Sequence, residues 1–393
     1  MRFISLWQKS MDNGILGSAL LTDLSKAFDC LNHELLIAKL EAYGFSNSAL
    51  HYIYNYLSNR KQRVKVNNSF SEWCNILFGV PQGSILGPLL FNIYINDIFM
   101  SLEKCEIANF ADDSTPFCFN SSIESLVKDI ELDANILVQW FQENYLKLNT
   151  DKCHLLISNH DESVFVNVGN DAIQCNKTVK LLGILIDNKL DFSEHISKLC
   201  KIANQKLHAL ARISHLMSKE KLRIILKAFI ESQFGYCPLV WMFHSRTLNN
   251  RINKIHERAL RIIYRDPSLT FQELLQKDKS VSIHHRNLQK LAIEMYKINN
   301  DLSPTFMREI FLSSNTSYNL RNKNPFRSIS AKTVSHGTET LSFRGPKTWA
   351  MVPLEIKNSL SLDEFKFKIR KWEPRECPCR LCRVYISKIG FIN

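Results

Sequence analysis

The chain has 393 residues, 45% of them hydrophobic and 22% charged, which is the balance of an ordinary globular protein and excludes a disordered or fibrous chain. It contains no apolar run long enough for a transmembrane helix and no signal-peptide pattern at its start, and its eleven cysteines are scattered, so we expect a reduced intracellular protein, nuclear or cytoplasmic and not secreted. Charge is uneven, because residues 1–190 hold 15 Lys+Arg against 21 Asp+Glu and residues 191–393 hold 35 against 17. A cationic second half suits a nucleic acid, although basic helices can also be no more than solvated faces.

Strands and helices alternate through the first half of the chain. Apolar periodicity, caps and turn residues predict a buried strand over 14–24 that includes Asp23, a helix capped by Asn32 and stopped by Gly44, and a helix over 47–57. A strand over 62–66, which overlaps the basic stretch 60–65, and a helix over 89–99 follow. We then predict a hairpin with strands 106–110 and 115–119, a long helix over 123–145, and strands over 154–157 and 179–186.

From residue 192 the pattern becomes helical. We predict helices over 193–217, 219–234, 248–264 and 284–299. Residues 313–345 are rich in Ser, Thr and Asn and indicate a linker, and a final helical segment over 346–372 leads into a cysteine-rich tail.

Three carboxylates are candidates for chemistry. Asp23 ends a predicted buried strand, and Asp112 and Asp113 are adjacent at the tip of the predicted hairpin. Clustered carboxylates repel one another unless a cation compensates, and Mg²⁺ is the hard, oxygen-binding ion that shares protein carboxylates with substrate phosphates. Taken singly, each aspartate has the simpler interpretation of a cap or turn residue.

The neighbours of these residues complete known motifs. Residues 21–29 (LTDLSKAFD, the first motif) resemble the first palm motif of the reverse transcriptases of non-LTR retrotransposons, and residues 79–88 (GVPQGSILGP, the second motif) resemble their second. Residues 110–113 (FADD, the third motif) resemble the two-aspartate motif of that family. The motifs occur in the family's order, and the resemblance, closest to the jockey-type elements, covers about residues 10–300.

The resemblance implies roles for individual residues. Asp23, Asp112 and Asp113 would be the catalytic aspartates and the ligands of two Mg²⁺ ions, with Mn²⁺ as a substitute; Asp23 and Asp112 would be the principal ligands. Because neighbouring side chains in a strand point to opposite faces, we expect Asp112 and Asp113 to contribute unequally. Lys152 matches a proposed general acid for the pyrophosphate, although a surface lysine is the simpler interpretation.

Substrate-binding residues follow from the same resemblance. Phe28 would exclude a ribose 2′-hydroxyl, or be simply a core residue. Gln82 and Gly83 would lie against the incoming nucleotide and template, or form only a turn. For Asp29 we expect a structural hydrogen bond or a cap rather than catalysis. Basic residues of the helical half would contact phosphates, namely Lys198, Lys201, Lys206, Arg212, Lys219, Lys221, Arg223, Arg258, Arg261 and Arg265.

The expected architecture is an α/β palm of a right-hand polymerase, with a ferredoxin-like antiparallel sheet and helices, followed by an all-α basic thumb and a helical C-terminal region. We assign residues 1–190 to the palm, 191–312 to the thumb-like region, 313–345 to the linker and 346–393 to the C-terminal segment. The expected function is RNA-directed DNA polymerase, with an RNA template, a DNA primer and dNTPs as partners and no membrane. The alternatives are an inactive relic that binds nucleic acid and, with less support, another metal-dependent palm enzyme such as a nucleotide cyclase.

Two departures from the family affect these expectations. Members carry a fingers region upstream of the first motif, whereas only 22 residues precede Asp23 here, so we expect a chain truncated at its N-terminus. The tail contains Cys377, Cys379 and Cys382. A structural zinc site would need four ligands, such as these three with His336, and a reduced tail without metal is the other interpretation.

Overall fold

The computed structural model describes residues 1–161, 163–311, 325–327, 329–374, 379 and 381. Its contacts divide the chain into two compact units. The first unit is Gly14–Leu181, and the second consists of Met1–Asn13 and Leu182–Asn393. Among the described residues, no helix is both long and apolar enough to cross a membrane.

The secondary structure of the described residues is as follows. The strands are β1 (Leu16–Leu21), β2 (Lys61–Gln62), β3 (Lys65–Val66), β4 (Ser69–Phe70), β5 (Cys74–Asn75), β6 (Glu106–Phe110), β7 (Asp113–Asn120), β8 (His154–Ile157), β9 (Phe165–Val168), β10 (Asp171–Gln174), β11 (Thr178–Leu181) and β12 (Ile184–Asp187). The α-helices are α1 (Arg2–Asp12), α2 (His33–Ala42), α3 (Asn47–Leu57), α4 (Leu86–Tyr94), α5 (Ile123–Glu143), α6 (Ser193–Ile213), α7 (Lys219–Ile225), α8 (Pro238–Trp241), α9 (Arg246–Tyr264), α10 (Phe271–Asp278), α11 (Ile283–Asn299), α12 (Phe306–Ile310), α13 (Leu341–Met351), α14 (Leu354–Lys357) and α15 (Leu362–Ile369). Short 3₁₀ helices include Ala27–Asp29 and Thr150–Lys152, and π-helical turns occur at Leu226–Ile230 and Val334–Thr338.

The first unit is built on a four-stranded antiparallel sheet with the order β6-β7-β1-β8. Helix α5 packs on β1 and β7, and apolar side chains such as Leu20, Ile130 and Leu155 are fully buried between them. The buried Asp133 of α5 accepts backbone N–H bonds from residues 103–105, directly before β6. That interaction fixes where the β6–β7 hairpin starts, since a buried carboxylate must have its hydrogen bonds satisfied.

Local signals in the first unit are confirmed where they concern single elements. The Asn32 side chain accepts a 2.9 Å hydrogen bond from the N–H of Leu35 and begins α2, and α3 has the predicted bounds. Both strands of the predicted hairpin form, although β7 starts two residues earlier than expected. The strand predicted over 14–24 is shorter, because β1 ends at Leu21 and continues only as isolated bridges. Strands β9 and β10 were not predicted.

The described part of the second unit is mainly helical, as expected. Its core forms where α11 packs against α13 and α15, around residues such as Leu291, Trp349 and Phe365. Helix α10 was not predicted, although its capping box, in which Thr270 and Glu273 satisfy each other's backbone N–H groups, is a readable signal.

Two predicted boundaries are wrong. Residues 1–13 were assigned to the palm, but α1 belongs to the second unit, because Trp7 is fully buried and the Asp12 carboxylate accepts hydrogen bonds from the backbone of Lys332 and Thr333. Residues 313–324 and 328 of the predicted linker over 313–345 lie outside the described residues, and its last part forms the π-helical turn Val334–Thr338 and the start of α13. Polar residues there cap helices rather than form a loop, as Thr333 does for the π-helical turn.

The predicted helix over 346–372 is divided into three. Helix α13 ends before Pro353, and α15 begins at a new cap, where the Ser361 hydroxyl accepts the N–H of Glu364. In the tail, Cys377 and Cys382 lie outside the described residues, and Cys379 is buried with its Sγ 3.3 Å from the Nε2 of His284. His336, the fourth zinc ligand considered from the sequence, instead has its Nε2 2.8 Å from the carbonyl oxygen of Lys189.

Candidate active site

Asp23 lies directly after the central strand of the sheet. The backbone N–H and hydroxyl of Thr22 both bond to the carbonyl oxygen of Ser114, at 3.0 and 2.8 Å. On the other side, the carbonyl oxygen of Asp23 accepts the N–H of Asn149 at 2.9 Å. Strand β7 and the residue before the 3₁₀ helix Thr150–Lys152 therefore hold the backbone around Asp23 from both sides.

The antiparallel register then decides what faces Asp23. Leu16 pairs with Asn120 and Thr22 bridges to Ser114, and continuing that register by one residue puts Asp23 opposite Asp113. Side chains at opposed positions lie on the same face with Cβ atoms about 4.5–5.5 Å apart. Asp112 occupies the turn that joins Phe110 to Asp113, one position outside this ladder.

The hairpin tip carries backbone strain and unbalanced charge. Ala111 has φ 53°, a left-handed conformation that is costly for a residue with a Cβ. Partial burial, together with the negative charges of Asp112 and Asp23, raises the pKa of Asp113 above its ordinary value. The third motif therefore presents carboxylates that repel one another and that a cation would stabilise.

Lys152 contacts Asp23 from the β8 side of the sheet. It ends the short 3₁₀ helix Thr150–Lys152, directly before β8, whose His154 pairs with Leu21 of β1. The Lys152 Nζ lies 3.3 Å from Asp23 Oδ2, and its side chain is 66% exposed. It is therefore accessible to a substrate and already oriented by a member of the predicted catalytic set.

The first and second motifs are brought together by backbone pairing. The N–H of Val80 bonds to the carbonyl oxygen of Phe28, and the Gln82 Nε2 donates to Asp29 Oδ1 at 2.9 Å. The structural hydrogen bond expected for Asp29 is thereby confirmed. Gly79 permits this approach, because a Cβ there would lie 2.7 Å from the Asp29 Cα.

Phe28 and Gly83 differ in their surroundings. The Phe28 ring stacks on that of Phe91, with centroids 4.4 Å apart, and remains partly exposed. Gly83 has φ +80°, and nothing lies within 4 Å of the position of a Cβ. Phe28 therefore has both a packing role and an open edge, and Gly83 lies beside free space.

His33 and Arg60 support the second motif and were not among the predicted site residues. The Arg60 Nη2 donates to the carbonyl oxygen of Gly79 at 2.6 Å, and the His33 Nε2 lies 2.8 Å from the same oxygen. Their signal in the sequence was weak, since Arg60 was visible only as the start of a basic stretch.

The three aspartates of the candidate site suit a hard cation, although their side chains are not already arranged around one. Within the described residues, no three His, Cys, Asp or Glu side chains are already grouped closely enough to hold a metal ion. Asp23, Asp112 and Asp113 nevertheless supply only oxygen ligands, and their mutual repulsion acts on Asp113. Mg²⁺ typically uses one or two protein carboxylates together with substrate phosphates, so this arrangement fits such an ion.

In the second unit, basic side chains gather along a groove of about 570 Å³. Its lining includes six cations and one carboxylate, namely Arg223, Lys227, Lys279, Arg286, Lys290, Arg370 and Glu231. Of the basic residues named from the sequence, Arg223 lines this groove while paired with Asp278 at 2.8 Å, and Arg261 is paired with Glu257 at 2.8 Å. Sequence spacing could not show which of these cations line the groove.

Comparison with known proteins identifies the first unit. Residues 12–186 match the family model described as reverse transcriptase (RNA-dependent DNA polymerase). The matched segment includes the whole four-stranded antiparallel sheet and the three motifs.

Curated proteins that are similar to the chain are named as RNA-directed DNA polymerases of mobile elements. The chain is 26% identical over 306 residues to the RNA-directed DNA polymerase from mobile element jockey of Drosophila melanogaster, covering 74% of this chain and 33% of that protein. It is 25% identical over 275 residues to the probable RNA-directed DNA polymerase from transposon BS of the same species, covering 66% of this chain and 30% of that protein. The chain thus spans about a third of the length of these relatives.

Among solved structures, the chain is similar to apo telomerase from Candida tropicalis, with a TM-score of 0.38 and 12% identity, covering 79% of this chain and 56% of that one.

Proposed function

We propose that this chain is an RNA-directed DNA polymerase that adds dNTPs to a primer 3′-hydroxyl on an RNA template. The observation that carries the proposal is the end of β1, where the β1–β7 register brings Asp23 opposite Asp113 and the Lys152 Nζ lies 3.3 Å from Asp23 Oδ2. The names of the curated relatives support the same reaction.

Asp23, Asp112 and Asp113 would hold two Mg²⁺ ions, with Mn²⁺ as a substitute. Bound there, the ions would supply activation of the primer hydroxyl and neutralisation of the charge that develops on the phosphates. The three carboxylates would themselves supply the oxygen ligands. Asp113 faces Asp23 directly, whereas Asp112 approaches from the turn, so the two adjacent aspartates would contribute unequally.

Lys152 would donate a proton to the departing pyrophosphate. Its contact with Asp23 holds the ammonium group in the site, and its exposure leaves it accessible to the nucleotide. Positioned general acids contribute about 10²–10⁴-fold to a rate.

Phe28 and the second motif would select and hold the nucleotide. The stack of Phe28 on Phe91 fixes the ring, so its exposed edge could exclude a ribose 2′-hydroxyl. Gln82 is oriented by its bond to Asp29, and Gly83 leaves room for a base or sugar to approach the backbone. The basic groove of the second unit would contact phosphates of the RNA template or DNA primer.

Primer extension on poly(rA)–oligo(dT) with Mg²⁺ tests the proposal. We expect extension by the unaltered chain, loss of extension in Asp112→Ala/Asp113→Ala, and retention in Asp151→Ala, which removes an exposed carboxylate near the site. No extension by any protein, with salt-sensitive binding of the primer–template retained, would instead identify an inactive nucleic-acid-binding relic.

The sugar selection has its own test. Phe28→Val should allow incorporation of rUTP as well as dTTP, because the smaller side chain no longer fills the space beside the sugar. An unchanged preference for dTTP in a folded Phe28→Val protein would assign Phe28 to packing alone.

A further inference from the structure

A long β-hairpin projects from the first unit between the first and second motifs. Strands β2 and β5 pair at its base and β3 and β4 at its end, closing on a turn in which Asn67 has φ 52°. The N–H of Val64 and the hydroxyl of Ser71 bond across the middle at 2.9 Å. We name residues 60–76 the arm; every residue from 61 to 75 is exposed.

The arm displays aromatic and cationic side chains with no core beneath them. The Arg63 guanidinium lies 3.9 Å from the ring centroid of Phe70 and 4.6 Å from that of Trp73. The Lys65 Nζ lies 5.3 Å from the Phe70 centroid. Phe70 and Trp73 are still 51% and 57% exposed, so the rings keep surface available for another flat group.

The charge of the arm is opposite to that of the unit that carries it. The arm holds four basic residues, Arg60, Lys61, Arg63 and Lys65, against one acidic residue, Glu72. Residues 14–181 as a whole hold 12 Lys+Arg against 19 Asp+Glu. A third of the unit's basic residues thus lie within this short segment, which favours a polyanionic partner over an apolar protein surface.

The base of the arm is joined to the candidate active site. Arg60 donates to the carbonyl oxygens of Leu57 and Gly79, and its own carbonyl oxygen accepts the N–H of Ile76. Gly79 is three residues before Gln82, which contacts Asp29. A single-stranded nucleic acid bound on the arm would therefore lie on a segment that is hydrogen-bonded to the second motif.

We propose that the arm binds the unpaired single strand of the RNA template, with bases stacking on Phe70 and Trp73 and phosphates contacting Lys61, Arg63 and Lys65. Aromatic platforms combined with a basic groove are the general means of holding single strands without sequence preference, because every base has a face that can stack. The inference rests on the proposed polymerase function, since that function supplies the single-stranded template.

Direct binding tests the arm apart from catalysis. The probe is a fluorescein-labelled single-stranded oligo(rU), followed by anisotropy, with the full chain. Phe70→Ala/Trp73→Ala should weaken binding by at least about 5- to 150-fold, the range that stacking of a single base spans. Phe165→Ala is the matched control, because Phe165 is 55% exposed on the other hairpin, β9–β10, and should leave binding unchanged.

Salt dependence identifies the phosphate contacts. Arg63→Gln/Lys65→Gln should reduce the slope of log K against log salt by about 0.7 for each phosphate contact removed. Lys128→Gln, which removes an exposed cation on α5, should not alter the slope. Equal affinity and slope in the arm variants and the unaltered chain would overturn the proposal, as would arm-dependent self-association in sedimentation without any change in RNA binding.

Primer extension separates failure of the arm from failure of the polymerase. With a template that has a long unpaired 5′ overhang, the arm variants should show a raised KM for template–primer and an unchanged kcat. If the unaltered chain extends no primer but the arm variants lose oligo(rU) binding, the polymerase proposal fails and the binding site stands. If extension and template KM are the same in every arm variant, the arm proposal fails and the polymerase stands.

Discussion

Replacing Asp113 by Asn should stabilise the fold while removing activity. Asp113 faces Asp23 across the β1–β7 ladder and adjoins Asp112, and these negative charges with partial burial raise its pKa. The Asn side chain has nearly the same shape but no charge. The repulsion is therefore a cost that the folded chain carries for its site, as is common where function and stability conflict.

The expected gain is modest. Two charges about 5 Å apart interact by about 1 kcal/mol in bulk water and about 3 kcal/mol at an effective dielectric constant of 20. Asp113 is only partly buried and Lys152 offsets the charge of Asp23, so the low end applies, about 1 kcal/mol. For a domain of this size that corresponds to a rise of about 2–4 °C in Tm.

Thermal unfolding at several pH values provides the assay. Because the folded-state pKa of Asp113 lies above its unfolded value, ionisation destabilises the fold at neutral pH, and that cost disappears as the pH falls through the folded pKa. The advantage of Asp113→Asn should therefore be greatest at neutral pH, vanish in acid, and narrow when Mg²⁺ is added, since the ion stabilises only the carboxylate. Asp151→Asn is the control. A lower Tm for Asp113→Asn at neutral pH, or a difference independent of pH, would refute the reasoning.

Three further changes test other parts of the molecule. Lys152→Ala should lower kcat in primer extension by about 10²–10⁴-fold. It should alter the unfolding free energy by less than about 1 kcal/mol, because the ion pair of Lys152 with Asp23 is exposed. An unaltered kcat would show that Lys152 takes no part in the mechanism. Gly79→Ala should destabilise the chain in urea unfolding by about 1–3 kcal/mol or more, since the added Cβ clashes with the backbone of Asp29 at a residue with a left-handed φ. Gly83→Ala should cost only the strain of its left-handed φ, about 1–2 kcal/mol. Equal losses of stability in the two variants would refute the packing argument. Glu231→Gln should lower the free energy of unfolding by about 1.5–3 kcal/mol at neutral pH. Burial alone would raise the pKa of Glu231, but its basic partners lower that pKa to about 2, so the stabilisation should fade below about pH 4 in the unaltered chain. Parallel pH profiles of stability for the variant and the unaltered chain would contradict this reasoning.

Elements defined by local interactions could be predicted from the sequence. Asn32 caps α2 through a bond to a residue three positions away, and the hairpin that carries Asp112 and Asp113 closes on a two-residue turn. Such signals need no knowledge of the rest of the chain. The order of the three motifs was likewise sufficient to predict a reverse transcriptase domain.

Contacts between distant segments could not be predicted. Helix α1 joins the second unit because Asp12 bonds to Thr333, a partner 321 positions away. The anchoring of Gly79 by Arg60 is similar, since nothing in the basic stretch separates the one residue that turns inward from those exposed on the arm. Composition describes such a stretch as a whole, whereas its structural roles differ from residue to residue.

The relation between the two adjacent aspartates depends on register, which the sequence leaves open. A shift of one residue between β1 and β7 would turn every side chain of one strand to the other face and bring Asp112 opposite Asp23. The observed ladder is set far from the site, by buried pairs such as Ala19 with Phe117. Core packing thereby determines which carboxylate faces Asp23, so a substitution that shifted this pairing should exchange the effects of Asp112→Asn and Asp113→Asn on Tm.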